Sequence, residues 1–453
     1  MTLPTLPTLE ELLHPESQPD AIREKATTSD DPLDPIHLFN MSWRRRDGSI
    51  PHVVLPKELT GTKAPIVVMS AKHYPTGSHK VGPAYSCLRE YVLADQPLDP
   101  DKHTLVFPST GNFGIGGAWV GPRVGFKSLV VLPEEMSAER FEKIRGYGAD
   151  VIATPGCESN VKEIYDKVNE LKQDDSNIIL NQFALFGNYR YHHHVTGNAA
   201  MELVDELAAK GVCKRGGAFI SAMGSAGTIA AGDRLKKRWS DLKIVGVEPV
   251  QCPTLTNAGY GGHAIEGIGD KHVTWIHNVR NMDAMICVED LDTLKGLQLL
   301  QFGRDVLKKE LGLDDSFLDA IDGMFGMSGI CNIIGAIKTA RHYDLSADDA
   351  VVTVATDGFD RYPSVMERLN ETHGVMDDDE AKRRIGIFNS QPLNWIQEGT
   401  MDTRRRWHNQ KYYTWVEQQG MDIPDLDALW EPSFWTDEAD KVEALDAKTL
   451  ARR

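Results

Sequence analysis

Between Ala64 and about Ser364, short apolar runs alternate with helix-patterned stretches, and that alternation leaves few architectures open. The runs are Ile66–Met69, Thr104–Phe107, Ser128–Val131, Val151–Ala153, Ile178–Asn181, Ala218–Met223, Ile244–Glu248, Met285–Val288 and Val351–Ala355. Each has the length of a strand. After the first run, Ala84, Leu88 and Val92 recur at helical spacing. Strands separated by helices need crossover connections, so an α/β protein with mostly parallel sheets flanked by helices is expected, split between two lobes. Composition changes at both ends of this region. Residues 1–60 are rich in Pro and charge and read as an arm, followed by lobes over 61–190 and 191–370. The extension 371–453 carries Trp395, Trp407, Trp415, Trp430 and Trp435. A disordered tail would be poor in such residues, so it is expected to fold back on the core or to cross to a second subunit.

The net charge of −17 argues against nucleic acid or an anionic membrane as partner, because both require clustered Lys and Arg. No apolar run approaches the roughly 18 residues of a membrane span. The opening Met1-Thr2-Leu3-Pro4-Thr5-Leu6-Pro7 lacks the charged and apolar regions of a signal peptide. Cys87, Cys157, Cys213, Cys252, Cys287 and Cys331 are scattered without a C-x-x-C pair, which fits reduced thiols in a cytoplasm. His192-His193-His194 would point in three directions on a helix, so no metal site is expected there.

Five turns carry the chemistry. Tyr74-Pro75-Thr76-Gly77-Ser78-His79-Lys80 lies between the first run and its helix. A lysine there faces the positive end of a helix dipole, which favours the free amine that a Schiff base requires. Alone, such a lysine would read as a surface residue. Pro108-Ser109-Thr110-Gly111-Asn112-Phe113-Gly114 follows the second run and offers backbone N–H groups and an amide to a carboxylate or phosphate. Gly116 and Gly117 inside the helix it opens cost stability, which points to a close approach. Gly224-Ser225-Ala226-Gly227-Thr228 follows Ala218–Met223 and is neither a Walker A loop nor G-x-G-x-x-G, so it reads as a phosphate cradle without a nucleotide. Gly326-Met327-Ser328-Gly329 and Thr356-Asp357-Gly358 complete the set. A lysine for a Schiff base, a phosphate cradle and polar loops at strand ends together describe a pyridoxal 5'-phosphate site.

From about Lys57 to Ser364 the ordered motifs resemble the fold-type II pyridoxal-phosphate enzymes, the cysteine synthase and tryptophan synthase β-subunit family. Ser109-Thr110-Gly111-Asn112 is similar to the cysteine synthase loop for the substrate carboxylate, and Asn181-Gln182-Phe183 to its Gln-Phe stretch. Gly224–Thr228 resembles the family's phosphate loop. Gly246-Val247-Glu248-Pro249 and Glu266-Gly267-Ile268-Gly269 resemble further segments, and Gly326-Met327-Ser328 the stretch whose Ser meets the pyridine nitrogen. Around Lys80, Thr76–Lys80 followed by Val81-Gly82 is nearer to the tryptophan synthase β-subunit than to cysteine synthases.

The resemblance implies Lys80 as Schiff-base residue and catalytic base. It places Asn112, Gly224, Ser225, Ala226, Gly227, Thr228 and Ser328 at the cofactor, and Ser109, Thr110, Gly111, Asn112 and Gln182 at the substrate. It implies β-elimination or β-replacement on a β-substituted L-amino acid through an aminoacrylate, in a cytoplasmic homodimer. A serine/threonine-type ammonia-lyase and a cofactor-binding regulatory subunit are the alternatives.

Overall fold

Every residue of Ile66–Ser70 and of Asp349–Ala355 is buried, as expected of strands covered on both faces. The computed structural model describes residues 3–96, 98–109, 111–156 and 160–453. Its strands are β1 (His52–Leu55), β2 (Ile66–Ser70), β3 (Thr104–Pro108), β4 (Lys127–Pro133), β5 (Asp150–Thr154) and β6 (Asn177–Ile179). The later ones are β7 (Arg215–Ala222), β8 (Lys243–Pro249), β9 (Ala284–Val288), β10 (Asp349–Ala355) and β11 (Ile396–Glu398). A four-stranded sheet runs β5-β4-β3-β6, all parallel, and a seven-stranded sheet runs β1-β2-β10-β7-β8-β9-β11. The mixed α/β architecture with parallel sheets between helices is therefore the fold.

Nine strands match the apolar runs, while the two edge strands β1 and β11 do not. Both pair antiparallel, and with four and three residues they are too short to show periodicity. The run Ile178–Asn181 contributes only Asn177–Ile179, because the chain leaves the ladder at Leu180, whose N–H reaches the Val106 carbonyl at 2.8 Å. Within the span 61–190, β2 joins the larger sheet beside β10 rather than the sheet built from β3 to β6.

What positions the site is the order β2-β10-β7. These three strands are parallel neighbours, so the turns after Ser70, Ala355 and Ala222 emerge side by side. The helix Asn112–Val124 lies against the first of them. A Cβ on Gly116 would come within 2.9 Å of Val81 Cα and 3.0 Å of the Lys80 carbonyl, and one on Gly117 within 2.4 Å of the Phe107 ring. The close approach that these glycines allow is therefore helix against backbone and helix against strand.

Arm and extension close on each other around the core. Asp446, on the helix Pro432–Ala451, accepts the N–H groups of Leu9 and Glu10 at 3.0 and 3.1 Å, at the positive end of the short helix Leu9–Leu13. Trp43 of the arm donates its indole N–H to Thr196 Oγ1 at 2.9 Å. In the extension, Trp407, Trp415, Trp430 and Trp435 are buried, and Trp407 Nε1 donates to the Leu255 carbonyl at 3.0 Å. The tail folds back on its own core. Trp395 is the exception, left 39% exposed at φ +53°. Replacing a fully buried indole leaves a cavity and an unpaired carbonyl, so Trp407→Ala should lower unfolding free energy by about 3–5 kcal/mol. Urea titration checks this, and a loss below about 1 kcal/mol would mean that the extension rests on the core without stabilising it.

Candidate active site

Lys80 stands immediately before the helix Val81–Val92, whose first turn holds no acidic residue to offset the dipole. The turn ahead of it is held from the loop after β10: Arg361 donates to the carbonyls of Thr76 at 2.5 Å and Gly77 at 3.3 Å. Lys80 Nζ lies 3.4 Å from Ser225 Oγ in the loop after β7. Burial pulls the Lys80 ammonium down to about 8, with Asp270 opposing the shift. Burial likewise pushes the Asp270 carboxyl up to about 7, opposed by Lys80, and neither Asp270 oxygen has a hydrogen-bond partner. A lysine that releases its proton near neutrality thus faces a carboxyl that takes one up near neutrality.

The loop Gly224–Thr228 is built for an anion. Among the described residues the backbone N–H groups of Gly224, Ser225, Ala226, Thr228 and Ile229 find no acceptor, at the entrance to the helix Ala230–Arg238. Donors left unmet in a buried loop are costly unless a ligand takes them. The loop is held firmly enough to bear strain. Ala226 adopts φ +60°, which costs an L residue about 1–2 kcal/mol. Asn188 Nδ2 donates to Ser225 Oγ at 3.0 Å and to the Gln182 carbonyl at 2.9 Å, and a Cβ on Gly227 would fall 2.0 Å from Asn188 Oδ1. His79 Nε2 meets Thr228 Oγ1 at 3.1 Å, tying the lysine turn to this loop. Burial holds the His79 imidazole neutral, far below its ordinary range. These donors fit a phosphate group.

Lys80, Gly224, Ala226, Thr228, Ser328 and Thr356 line one small cavity, and Asn332 joins them from one turn beyond Ser328. Asn332 anchors the wall, accepting the Ala222 N–H at 2.7 Å and donating to the Val354 carbonyl at 2.8 Å. A neutral hydroxyl at Ser328 beside the lysine and the anion loop suits a ring nitrogen. Behind Gly224 and Ala226 a second cavity is lined by Asp270, Glu248, His272 and His277. Burial raises Glu248 to about 7, although the Thr256 hydroxyl and two N–H groups bind it.

The Asn112 loop is placed differently. Ser109 Oγ accepts the N–H groups of Gly111 and Gly114 at 3.0 and 2.9 Å, and Thr110 lies outside the described residues. A Cβ on Gly111, at φ +154°, would lie 2.1 Å from Arg140 Nη1. Asn112 Nδ2 donates to Asp357 Oδ2 at 2.7 Å, and Tyr362 donates to the same oxygen at 2.9 Å. Asn112 Oδ1 is buried without a partner. Gln182 is buried, and its backbone carbonyl serves Asn188. Lys80 and the phosphate loop therefore share a cavity with Ser328, whereas Ser109, Gly111, Asn112 and Gln182 do not line it. Asp270, His79, Asn188 and Asn332 were not singled out from sequence. His79 adjoins Lys80 and Asp270 follows Glu266–Gly269, so adjacency was the one signal available.

Among the described residues no cluster of histidines, cysteines and carboxylates could hold a metal ion, and His192–Thr196 winds as a π-helical turn. The cysteines described, Cys87, Cys213, Cys252, Cys287 and Cys331, are buried free thiols, while Cys157 lies outside the described residues.

The family model of the pyridoxal-phosphate dependent enzymes matches residues 48–304, which include Lys80 and the phosphate loop but end before Ser328. A cysteine synthase of Staphylococcus aureus is 30% identical over 318 residues, covering 70% of this chain and 93% of that protein. The O-acetyl serine sulfhydrylase isoform 3 of Entamoeba histolytica superposes with a TM-score of 0.59 at 25% identity, covering 75% of this chain and 92% of the other. The O-acetylserine dependent cystathionine beta-synthase of Helicobacter pylori gives 0.58 at 25% identity, covering 69% and 94%. A family match spanning more than half of the chain, with a lysine beside a loop of N–H donors suited to an anion, identifies the cofactor as pyridoxal 5'-phosphate: the chain belongs to the pyridoxal-phosphate dependent enzyme family.

Proposed function

We propose that this enzyme acts on a β-substituted L-amino acid by β-elimination or β-replacement, with Lys80 carrying the cofactor and then moving the Cα proton. The observation that carries this reading is the placement of Lys80 Nζ, lowered to about 8, 3.4 Å from Ser225 in the anion loop. Bound pyridoxal phosphate supplies the electron sink for the Cα–H bonding pair. The N–H groups of Gly224, Ser225, Ala226 and Thr228 would hold its phosphate and the Ser328 hydroxyl its ring nitrogen. A neutral partner there favours β-elimination over transamination.

Lys80 Nζ takes the Cα proton as free amine. Asp270, unpaired and facing the Lys80 charge, holds a proton near neutrality, so it can give one to a leaving group or take one from an incoming nucleophile. The Ser109–Asn112 loop and Gln182 would bind the substrate carboxylate, which requires the Asn112 amide to leave Asp357. The similarity to a cysteine synthase and to O-acetylserine-using enzymes supports the β-substituted substrate. The resemblance further implies a homodimer, and the buried free thiols fit a reducing cytoplasm.

A panel of β-substituted amino acids, with and without added thiol or sulfide, tests the reading. Product should form from at least one, and Lys80→Ala should slow it by about 10²–10⁴-fold. A thioether or cysteine product means replacement; ammonia and keto acid alone mean the ammonia-lyase alternative, and neither product means a regulatory subunit. The proton balance has its own signature. Only the free amine condenses with the cofactor aldehyde, so uptake by apoprotein should accelerate as pH rises through about 8, below the about 10.4 of an ordinary lysine. Asp270 raises the Lys80 value, so Asp270→Asn should move that profile to lower pH. A profile rising only near pH 10, or unmoved by the substitution, would contradict the pairing.

A further inference from the structure

Away from the Lys80 cavity, and sharing none of its lining, a cavity of about 1160 Å³ lies between the N-terminal arm and the core. Ordinary small-molecule sites span roughly 300–1,000 Å³. Five arginines line it, Arg23, Arg44, Arg45, Arg46 and Arg123, against Glu16, Glu24 and Asp47, in a chain whose net charge is −17. Arg23 and Arg44 are spent on Asp20 and Glu202. Among the described residues no carboxylate lies within ion-pair distance of Arg45, Arg46 or Arg123.

Arg123 is the telling member. It is 4% exposed, yet its guanidinium reaches only backbone carbonyls, those of Trp119 at 2.7 Å and of Pro32, and its Nε has no partner. Arg46 likewise donates to the Arg23 and Ala26 carbonyls and to Asn40 Oδ1. Backbone carbonyls position these groups but carry only partial charge, and Asp31 acts on Arg123 from beyond ion-pair distance, so neither guanidinium is closely paired. The Arg45 guanidinium makes no hydrogen bond to any described residue. Guanidinium groups of this kind match phosphate with paired donors. Tyr147, half-buried, offers ring surface to the same cavity, while Phe39 and Trp119 are buried beneath it, with the Arg123 guanidinium 3.9 Å over the Trp119 ring.

We propose that this cavity binds a nucleoside phosphate, its phosphates on Arg45, Arg46 and Arg123 and its base against the Tyr147 ring. The site is separate from the cofactor's phosphate loop, and it reaches the lysine turn only from behind, through His73 and Pro75.

Calorimetric titration of the holoenzyme with ADP at low salt tests the site, with adenosine and inorganic phosphate as parallel probes. ADP should bind saturably, with both fragments at least about tenfold weaker. Arg45→Glu and Arg46→Ala should each weaken ADP by about tenfold or more. Because Arg45 is exposed and lines no part of the Lys80 cavity, Arg45→Glu should leave melting temperature and turnover unchanged, which separates lost binding from lost folding. Absence of ADP heat, equal binding by adenosine or by phosphate, or ADP affinity indifferent to both substitutions would overturn the proposal.

Discussion

Placing an ammonium beside a ring of unmet N–H donors is unfavourable in an isolated chain, and here the fold holds the two 3.4 Å apart at Lys80 Nζ and Ser225 Oγ. Both are positive in character, which suits the pair to an anion. The sheet supplies the constraint: β2 and β7 flank β10 in parallel, so the lysine turn and the anion loop emerge on either side of the turn that carries Thr356 and Asp357. Arg361 from that middle turn grips the lysine turn, and His79 grips the anion loop. Loops of this character suit an anion such as a cofactor phosphate.

A second arrangement governs the approach to this centre. Asn112 and Asp357 bind one another across the gap between the helix of the smaller sheet and the end of β10. Glu266, beside Gly267, holds Arg140 at 2.5 Å and the Ser137 hydroxyl at 3.1 Å from the same side. These contacts join residues that follow strands of the four-stranded sheet to residues that follow strands of the seven-stranded one.

The sheet was legible from sequence where strands are buried on both faces, because their apolar runs stand out between helices, as with Ile66–Met69 and Val351–Ala355. It was not legible at β1 and β11, whose pairing depends on the neighbouring strand rather than on their own pattern. Lys80, the Gly224–Thr228 loop and Ser328 stood out as candidates because turn chemistry is local, and the fold brings Lys80, Gly224, Ala226, Thr228 and Ser328 to one cavity. Asp270 could not: its significance is the absence of any partner and its facing of Lys80, and both are properties of the folded neighbourhood. The glycines of the Asn112 helix were legible as close-approach positions, but what approaches, the Lys80 carbonyl and the Phe107 ring, needed three dimensions. The tryptophans of the extension announced a folded tail, and the Trp407 bond to Leu255 shows where it lands.

The central claim is that Lys80, poised against the anion loop, is the residue to which pyridoxal phosphate is joined. Reducing the holoenzyme with borohydride and mapping the modified peptide by mass spectrometry tests it directly. The account predicts a single phosphopyridoxyl group on Lys80, lost in Lys80→Ala. Modification of Lys72, whose Nζ instead reaches the Asp322 carbonyl at 3.4 Å, or of any other lysine with Lys80 untouched, would contradict it.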